Sequence, residues 1–240
     1  MPLIEFSDCG LYCRAGDFYI DPWRPVERAV ITHAHSDHAR WGSKSYLCHN
    51  DTKPILKTRL GPSNYQSVGW NQTVYINGVR VSMHPAGHII GSSQIRVEYN
   101  GEVWVISGDY KLENDGMSGQ FEPVKCHHFI SECTFGLPIY RWKKQEEIFS
   151  NIQNWILRNK EAGKSSILFA YSLGKAQRLL PAVSAVTDRI LVHGAVYNVH
   201  MGLVNAGIQL PEVHRVTPDT PKEWLKGSVV IGPSSAEATS

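Results

Sequence analysis

VITHAHSDHARW, residues 30–41, places three histidines and an aspartate within six positions: His33, His35, Asp37 and His38. It overlaps RAVIT (28–32), a β-branched run that reads as a buried strand. In extended backbone alternate side chains point the same way. His33, His35 and Asp37 therefore project to one side, and the adjacent His38 turns toward a second position. Imidazoles suit zinc; carboxylates suit zinc, manganese or iron. One catalytic cation normally takes three protein ligands and a water, so four donors point to two cations. Histidines in a polar surface loop are the alternative, and the density of donors directly after a strand weighs against it.

Further donors recur downstream in similar contexts. HPAGHIIGSSQI (84–95) carries His88 between two glycines, and VWVISGDYK (103–111) delivers Asp109 just beyond Gly108. Each follows a strand-like run, beside a glycine that permits close backbone approach. An isolated aspartate after a strand is usually a turn former, so Asp109 gains weight only from its company.

Around these donors the first half of the chain reads as short strands: FYID (18–21), TVYI (73–76), VRVSMH (79–84), QIRVEY (94–99) and EVWVIS (102–107). Asn-Gly at 77–78 and at 100–101 marks two tight hairpins, so antiparallel β-structure is expected here. The second half changes period. QEEIFSNIQNWILRNKEAG aligns Ile148, Phe149, Ile152, Trp155 and Ile156 on one helical face and ends at Gly163. SILFAY (166–171), RILVHG (189–194) and SVVIG (228–232) read as strands, and KAQRLLPAVSAV (175–186) as a helix kinked or divided at Pro181. Strand, helix, strand in this order predicts a parallel sheet with crossover helices. The seam between the halves is expected in GLPIYRWKK (136–144).

The bulk numbers fit this picture. The chain has 240 residues, 42% hydrophobic and 19% charged, with net charge +2. That suits an ordered α/β protein, and any nucleic-acid partner would need a local basic patch rather than a global field. Five cysteines at irregular spacings argue against a disulfide framework and for a cytoplasmic setting. Cys9 and Cys13 read as buried small hydrophobes rather than metal ligands. No run is long and apolar enough to span a membrane, so no membrane partner is expected.

THAHSDH, then PAGHIIGS, then SGDY resemble the metallo-β-lactamase superfamily. ISECTFGLPIYRW and YSLGKAQRLL are similar to its nucleic-acid-processing branch, the β-CASP nucleases. DPWRPVERAVITHAHSDHARWGS, GDYK, TFGLPIYRW and YSLGKAQR look like the bacterial ligase-associated DNA exonucleases within that branch. The resemblance runs over nearly the whole chain. It implies an α/β fold: an αββα metallo-β-lactamase sandwich over residues 1–137 and an inserted β-CASP α/β cassette over 138–240. It implies two divalent cations, zinc first, with manganese or iron as alternatives. His33, His35 and His88 would hold one, Asp37 and His38 the other, and Asp109 would bridge them. Glu132, in SECTFG, matches the acidic residue that supports a histidine near the scissile phosphate, so the implied catalytic residues are Asp37, Asp109 and Glu132.

The implied activity is a metal-dependent DNA exonuclease in DNA repair, hydrolysing phosphodiester bonds with a hydroxide activated by two metals. Its partners would be single-stranded or end-containing DNA and, from the family name alone, a DNA ligase. Lys175, Gln177 and Arg178, at a strand-to-helix turn, and His193, at a strand end, are the expected substrate contacts. A satisfied strand-end histidine is the competing reading of His193, and Trp41, Trp142 and Tyr171 are open to either base stacking or packing. Two family motifs expected after the cassette are not found: a Ser-x-His-x-Asp segment and a late strand ending in His-Gly. ILVHGAV (190–196) comes too early to be the latter. The chain therefore reads as C-terminally truncated, with six of seven expected ligands. Three alternatives follow: an RNA-processing nuclease of the same architecture, a small-molecule hydrolase such as a thioesterase, and an inactive or weakly active nucleic-acid-binding fragment.

Overall fold

The computed structural model describes residues 2–238; Met1, Thr239 and Ser240, which end the two expected domains, lie outside them. The chain divides into two compact units, Met1–Phe135 and Gly136–Ser240.

The first unit contains two sheets. The six-stranded sheet runs through β1 (Ile4–Ser7), β2 (Gly10–Cys13), β3 (Phe18–Ile20), β4 (Arg28–Val30), β5 (Ser45–His49) and β6 (Asn64–Val68), with α1 (Thr52–Leu60) between the last two. The five-stranded sheet comprises β7 (Thr73–Ile76), β8 (Val79–Pro85), β9 (Ser93–Tyr99), β10 (Glu102–Ile106) and β11 (His128–Ile130). The expected hairpins are present. Ile76 pairs with Val79 and Tyr99 with Glu102, across Asn77 (φ 48°), Gly78 (φ 82°), Asn100 (φ 49°) and Gly101 (φ 82°). Both central residues of each turn thus take the left-handed conformation that matches strand twist.

Antiparallel pairing covers only part of this unit, because β3, β4, β5 and β6 are mutually parallel and β11 pairs parallel with β10. These neighbours are joined by longer crossovers, which carry no turn signature in the sequence. Period-two alternation buries Val79, Val81 and Met83 of β8 while Arg80 faces outward, where it meets Glu98 at 3.0 Å. Phe18, Ile20 and Val30 from one sheet and Met83, Ile95 and Val97 from the other belong to one apolar core, so the sheets pack face to face. α1 packs beside β5 and β6 and is the only helix of this unit among the described residues.

The second unit holds α2 (Gln145–Glu161), β12 (Ser166–Phe169), α3 (Lys175–Ser184), β13 (Ile190–Val192), α4 (Gly194–Val204), β14 (His214–Arg215), α5 (Lys222–Leu225) and β15 (Val229–Gly232). Its sheet has the order β12-β15-β13-β14 and is parallel throughout. α3 runs through Pro181 without dividing. The face expected for α2 is only partly buried: Ile156 is enclosed, whereas Ile148 is exposed. Trp41, Trp142 and Tyr171 are all exposed, so none is a core residue.

Candidate metal centre

The parallel relations within each sheet of the first unit explain how distant residues meet. β3 and β4 end at the same edge, with Ile20 opposite Val30. β8 and β10 run in one direction because each is antiparallel to β9, and β11 runs with β10. Asp21, His33, His88, Asp109 and Glu132 all lie one to three residues beyond a strand of this set. Ser93 N–H donates to the Thr32 carbonyl at 2.8 Å and ties the two sheets together at that edge. Glycine is required beside two of the donors. At Gly87 (φ 74°) a Cβ would stand 2.4 Å from the Lys111 carbonyl oxygen, and at Gly108 (φ 54°) one would stand 2.6 Å from Thr32 Oγ1.

Four donors form one group. His33 Nε2 is 3.1 Å from His35 Nδ1, His88 Nε2 is 3.2 Å from His35 Nδ1, and His88 Nε2 is 3.3 Å from Asp109 Oδ2. His33 Nε2 stands 3.8 Å from Asp109 Oδ2. Ligands about 2.0–2.1 Å from a tetrahedral zinc lie about 3.3–3.4 Å from one another, so these separations fit such an ion. Protonation fits as well. Thr32 Oγ1 donates to Asp21, so it accepts from His33 Nδ1–H at 3.1 Å and leaves the His33 Nε2 lone pair facing inward. Burial, with the neighbouring His38, His35 and His88, holds the His33 pKa well below the ordinary imidazole value. Burial and then His35 bring His88 down to about 4, so both rings are neutral at pH 7 and ready to bind a cation.

A second group shares Asp109. His38 Nε2 lies 3.8 Å from Asp109 Oδ1 and 3.6 Å from Glu132 Oε2. Its other nitrogen, Nδ1, meets Asp21 Oδ2 at 2.8 Å, the carboxylate–histidine arrangement that orients a metal ligand. Burial opposes charge on His38, but the hydrogen bond and charge of Asp21, with Asp109 and Asp37, outweigh it and raise the pKa to about 9. Burial and then Asp109 raise the Glu132 pKa. Asp37 stands 3.7 Å from His38 Nε2 with 70% of its side chain exposed. Among the described residues, the sets of three or more metal-capable donors lying within 4.8 Å of one another are these two groups, and Asp37 is in neither.

Two positioning residues escape a reading of the sequence alone. Asp21, held at φ 45°, receives Thr32 N–H at 2.8 Å as well as His38. Arg59, in the last turn of α1, donates to the Ala34 carbonyl and so braces the loop carrying His33 to His38. The terminal Asp of FYID was the available signal for the first; nothing local marks the second.

The expected substrate contacts lie in the second unit. Gln177 is buried, and its amide closes the turn before α3: Oε1 accepts from Gly174 N–H at 2.8 Å and Nε2 donates to the Ser172 carbonyl at 3.1 Å. Arg178 Nε donates to Gln145 Oε1 at 2.7 Å, and exposed Lys175 sits 4.7 Å from the Tyr171 ring centroid. His193 caps α4, its Nδ1 accepting from Ala195 N–H at 3.1 Å.

The chain is 30% identical over 236 residues to a "Probable DNA ligase" of Opitutus terrae, a match spanning 96% of this chain and 22% of that protein. It is 29% identical over 119 residues to "Cleavage and polyadenylation specificity factor subunit 3" of Dictyostelium discoideum, across 48% of this chain and 15% of that one. It is 22% identical over 251 residues to an "RNase J-like protein" of Methanocaldococcus jannaschii, across 88% and 59%. The chain thus spans less than two thirds of each of these relatives. No family model matches it. Among solved structures, a protein of unknown function from Enterococcus faecalis shares its fold, with a TM-score of 0.57 at 14% identity over 85% of this chain and 58% of the other. With its His-x-His-x-Asp-His loop and the strand-end donors His88, Asp109 and Glu132, and with β-CASP nucleases among its relatives, the chain is similar to the β-CASP branch of the metallo-β-lactamase superfamily.

Proposed function

We propose that this chain is the nuclease part of a metal-dependent phosphodiesterase that degrades DNA from its ends. The observation that carries the reading is the pair of donor groups sharing Asp109, each with its donor atoms close enough together to hold a divalent cation. His33, His35, His88 and Asp109 hold one cation, zinc first with manganese or iron as alternatives, and His38 and Asp109 contribute to the second. When bound, such ions supply positive charge for phosphate oxygens and lower the pKa of water. Asp21 fixes the ring of His38 and Thr32 fixes that of His33, so both rings are oriented before a cation arrives, His38 giving up a proton when it binds one. Asp37, exposed at the rim of the donor groups, accepts a hydrogen bond from the attacking water and orients it.

The same reading assigns residues 1–137 to an αββα metallo-β-lactamase domain and 138–240 to a β-CASP cassette. It gives Lys175 and His193 contacts to backbone phosphates. Gln177 and Arg178 shape the turn that presents Lys175. DNA is favoured over RNA because the match to a protein named for DNA ligation runs through 96% of the chain, whereas the match to the polyadenylation factor covers 48%. The same proposal sets the activity in DNA repair in the cytoplasm, beside a ligase; the DNA ligase name of that relative supports only the last of these. The five cysteines are all free, and no helix among the described residues is long and apolar enough to cross a membrane. RNA is the second reading, supported by the match to the RNase J-like protein over 88% of the chain.

The test is to load the chain with zinc or manganese and offer end-labelled DNA and RNA strands of one sequence. Stepwise shortening of DNA, with RNA left largely intact, is the expected result. Preferential loss of RNA reverses the substrate assignment, and thioester turnover with both strands intact removes the nuclease reading.

A further inference from the structure

We infer that two tryptophan–arginine pairs beside the metal edge, Trp23-Arg24 and Arg40-Trp41, form a platform for single-stranded DNA, with Trp41 stacking on a base and Arg24 and Arg40 holding phosphates. The inference rests on the nuclease reading above and names the form of its substrate.

Both pairs follow residues of the metal edge. Trp23 comes two positions after Asp21, which holds the His38 ring, and Trp41 three positions after His38. Three extended residues span at most about 11 Å, so the Trp41 Cα stays within that distance of the His38 Cα. An isolated exposed tryptophan is ordinary on a protein surface. Trp41 differs in how its backbone is held. Tyr46 Oη donates to the Arg40 carbonyl at 2.8 Å and accepts from Ser43 N–H at 3.0 Å, which fixes the chain on both sides of Trp41. Ser43 Oγ accepts from Val26 N–H at 3.2 Å, and a Cβ on Gly42 (φ 101°) would stand 2.9 Å from Pro25 Cγ. This clamped turn leaves Trp41 76% exposed, and among the described residues no hydrogen bond or ring contact reaches its indole. A fixed backbone under an open aromatic face favours base stacking, because little order is lost when the ring is covered. Trp23 is also held: its Nε1–H donates to the Asp8 carbonyl at 2.8 Å, and Arg40 donates to the Trp23 carbonyl at 3.1 Å, tying the two pairs together.

Charge separates these two arginines from their neighbours. Arg14, Arg28 and Lys44 each meet a carboxylate, Glu5 at 2.7 Å, Asp17 at 2.9 Å and Glu27 at 2.8 Å. Arg24 and Arg40, which adjoin the tryptophans, are exposed and pair with no carboxylate among the described residues. A guanidinium without a counter-ion suits a phosphate. The open ring selects the strand form, because a single strand offers its base faces freely and a duplex offers them only after unstacking.

The experiment follows fluorescence anisotropy of labelled phosphorothioate DNA, which resists hydrolysis, on the zinc-loaded chain. Single-stranded and blunt duplex forms of one sequence are compared. The wild type should bind the single strand more tightly. Trp41→Ala should weaken single-strand binding about 10-fold and leave duplex binding and zinc content unchanged, and Trp41→Phe should recover most of the loss. Arg24→Gln should make the dependence of log K on log salt shallower by about 0.7. Circular dichroism checks the fold of each variant. Wild-type single-strand affinity in Trp41→Ala overturns the inference, as does an equal loss on both forms, a wild-type preference for duplex, or an unchanged salt slope in Arg24→Gln. These are binding measurements. A chain that needs Trp41 to hold a single strand but cleaves neither DNA nor RNA defeats the nuclease reading alone. A chain that cleaves DNA and binds it equally well in Trp41→Ala defeats this inference alone.

Discussion

His33 in the first unit and His200 in the second are both buried, exposing 0% and 2% of their surface, and burial pushes the pKa of each below the ordinary imidazole value. Their surroundings separate them. Around His33 the rings of His35, His38 and His88 lie with centroids 4.0–5.0 Å away, and Asp109 closes the group. His200 sits on α4 among the side chains that bury that helix, and its Nδ1 has no hydrogen-bond partner among the described residues. Burial and a depressed pKa are therefore poor signs of a site. Convergence of donors from separate strand ends is the better one, because the chain must bring together residues as distant as His33 and Asp109.

One substitution made at both positions puts this comparison at risk. Leucine keeps apolar bulk, so neither variant loses its core. His33→Leu removes one of three imidazoles from the first group, and cleavage should fall by about 10³-fold, equivalent to about 4 kcal/mol of transition-state stabilisation. Single-turnover rates on end-labelled DNA, beside zinc content per chain, measure it. A variant that keeps its zinc and cuts at the wild-type rate would show that the cluster around His33 is packing and not a metal site.

A smaller effect is expected one step away from the donors. Asp21→Asn preserves shape but replaces the carboxylate that receives His38 Nδ1–H and Thr32 N–H. Affinity for the second cation should drop about 10- to 100-fold, with the first affected less because Thr32 still contacts the His33 ring. Isothermal titration with manganese resolves the two steps. Equal weakening of both would mean that Asp21 acts on the whole edge of the sheet rather than on His38.

Asp21 also shows where sequence reading stops. The hairpins were legible because Asn-Gly is a local signal with one geometric meaning, and the His33-to-His38 cluster because its donors are crowded. α2 was legible from its period and β12, β13 and β15 as short apolar runs, whereas the two-residue β14 left no such run. Asp21 was not, since its partners His38 and Thr32 are reached only through the parallel pairing of β3 with β4, and parallel pairing leaves no turn signature. α4 was missed for a different reason. GAVYNVHMGLV opens on glycine and has Val196, Val199, His200 and Leu203 buried within an apolar run, so no polar face marks a helical period. Gln177 read as a phosphate contact because it lies at a strand-to-helix turn; the structure turns it inward, where it completes the turn itself.

The last comparison returns to His200 and carries the smallest effect. Its imidazole titrates near the ordinary value, 6.5, in the unfolded chain and lower in the folded one, because burial disfavours the charged ring. Below about pH 6.5 the unfolded chain therefore binds a proton that the folded chain does not, and stability falls as pH drops toward the folded-state pKa; above pH 6.5 this contribution is fully present. His200→Leu removes the titration along with a buried Nδ1 that lacks a partner. Replacing such a group by an apolar one of similar bulk is close to neutral or stabilising. At pH 8 the urea midpoint of the variant should equal or slightly exceed that of the wild type, and between pH 7 and 5 it should decline less, with DNA cleavage unchanged. A decline as steep as the wild type's would mean that His200 holds its proton in the folded protein, and the contrast with His33 would then rest on donor geometry alone.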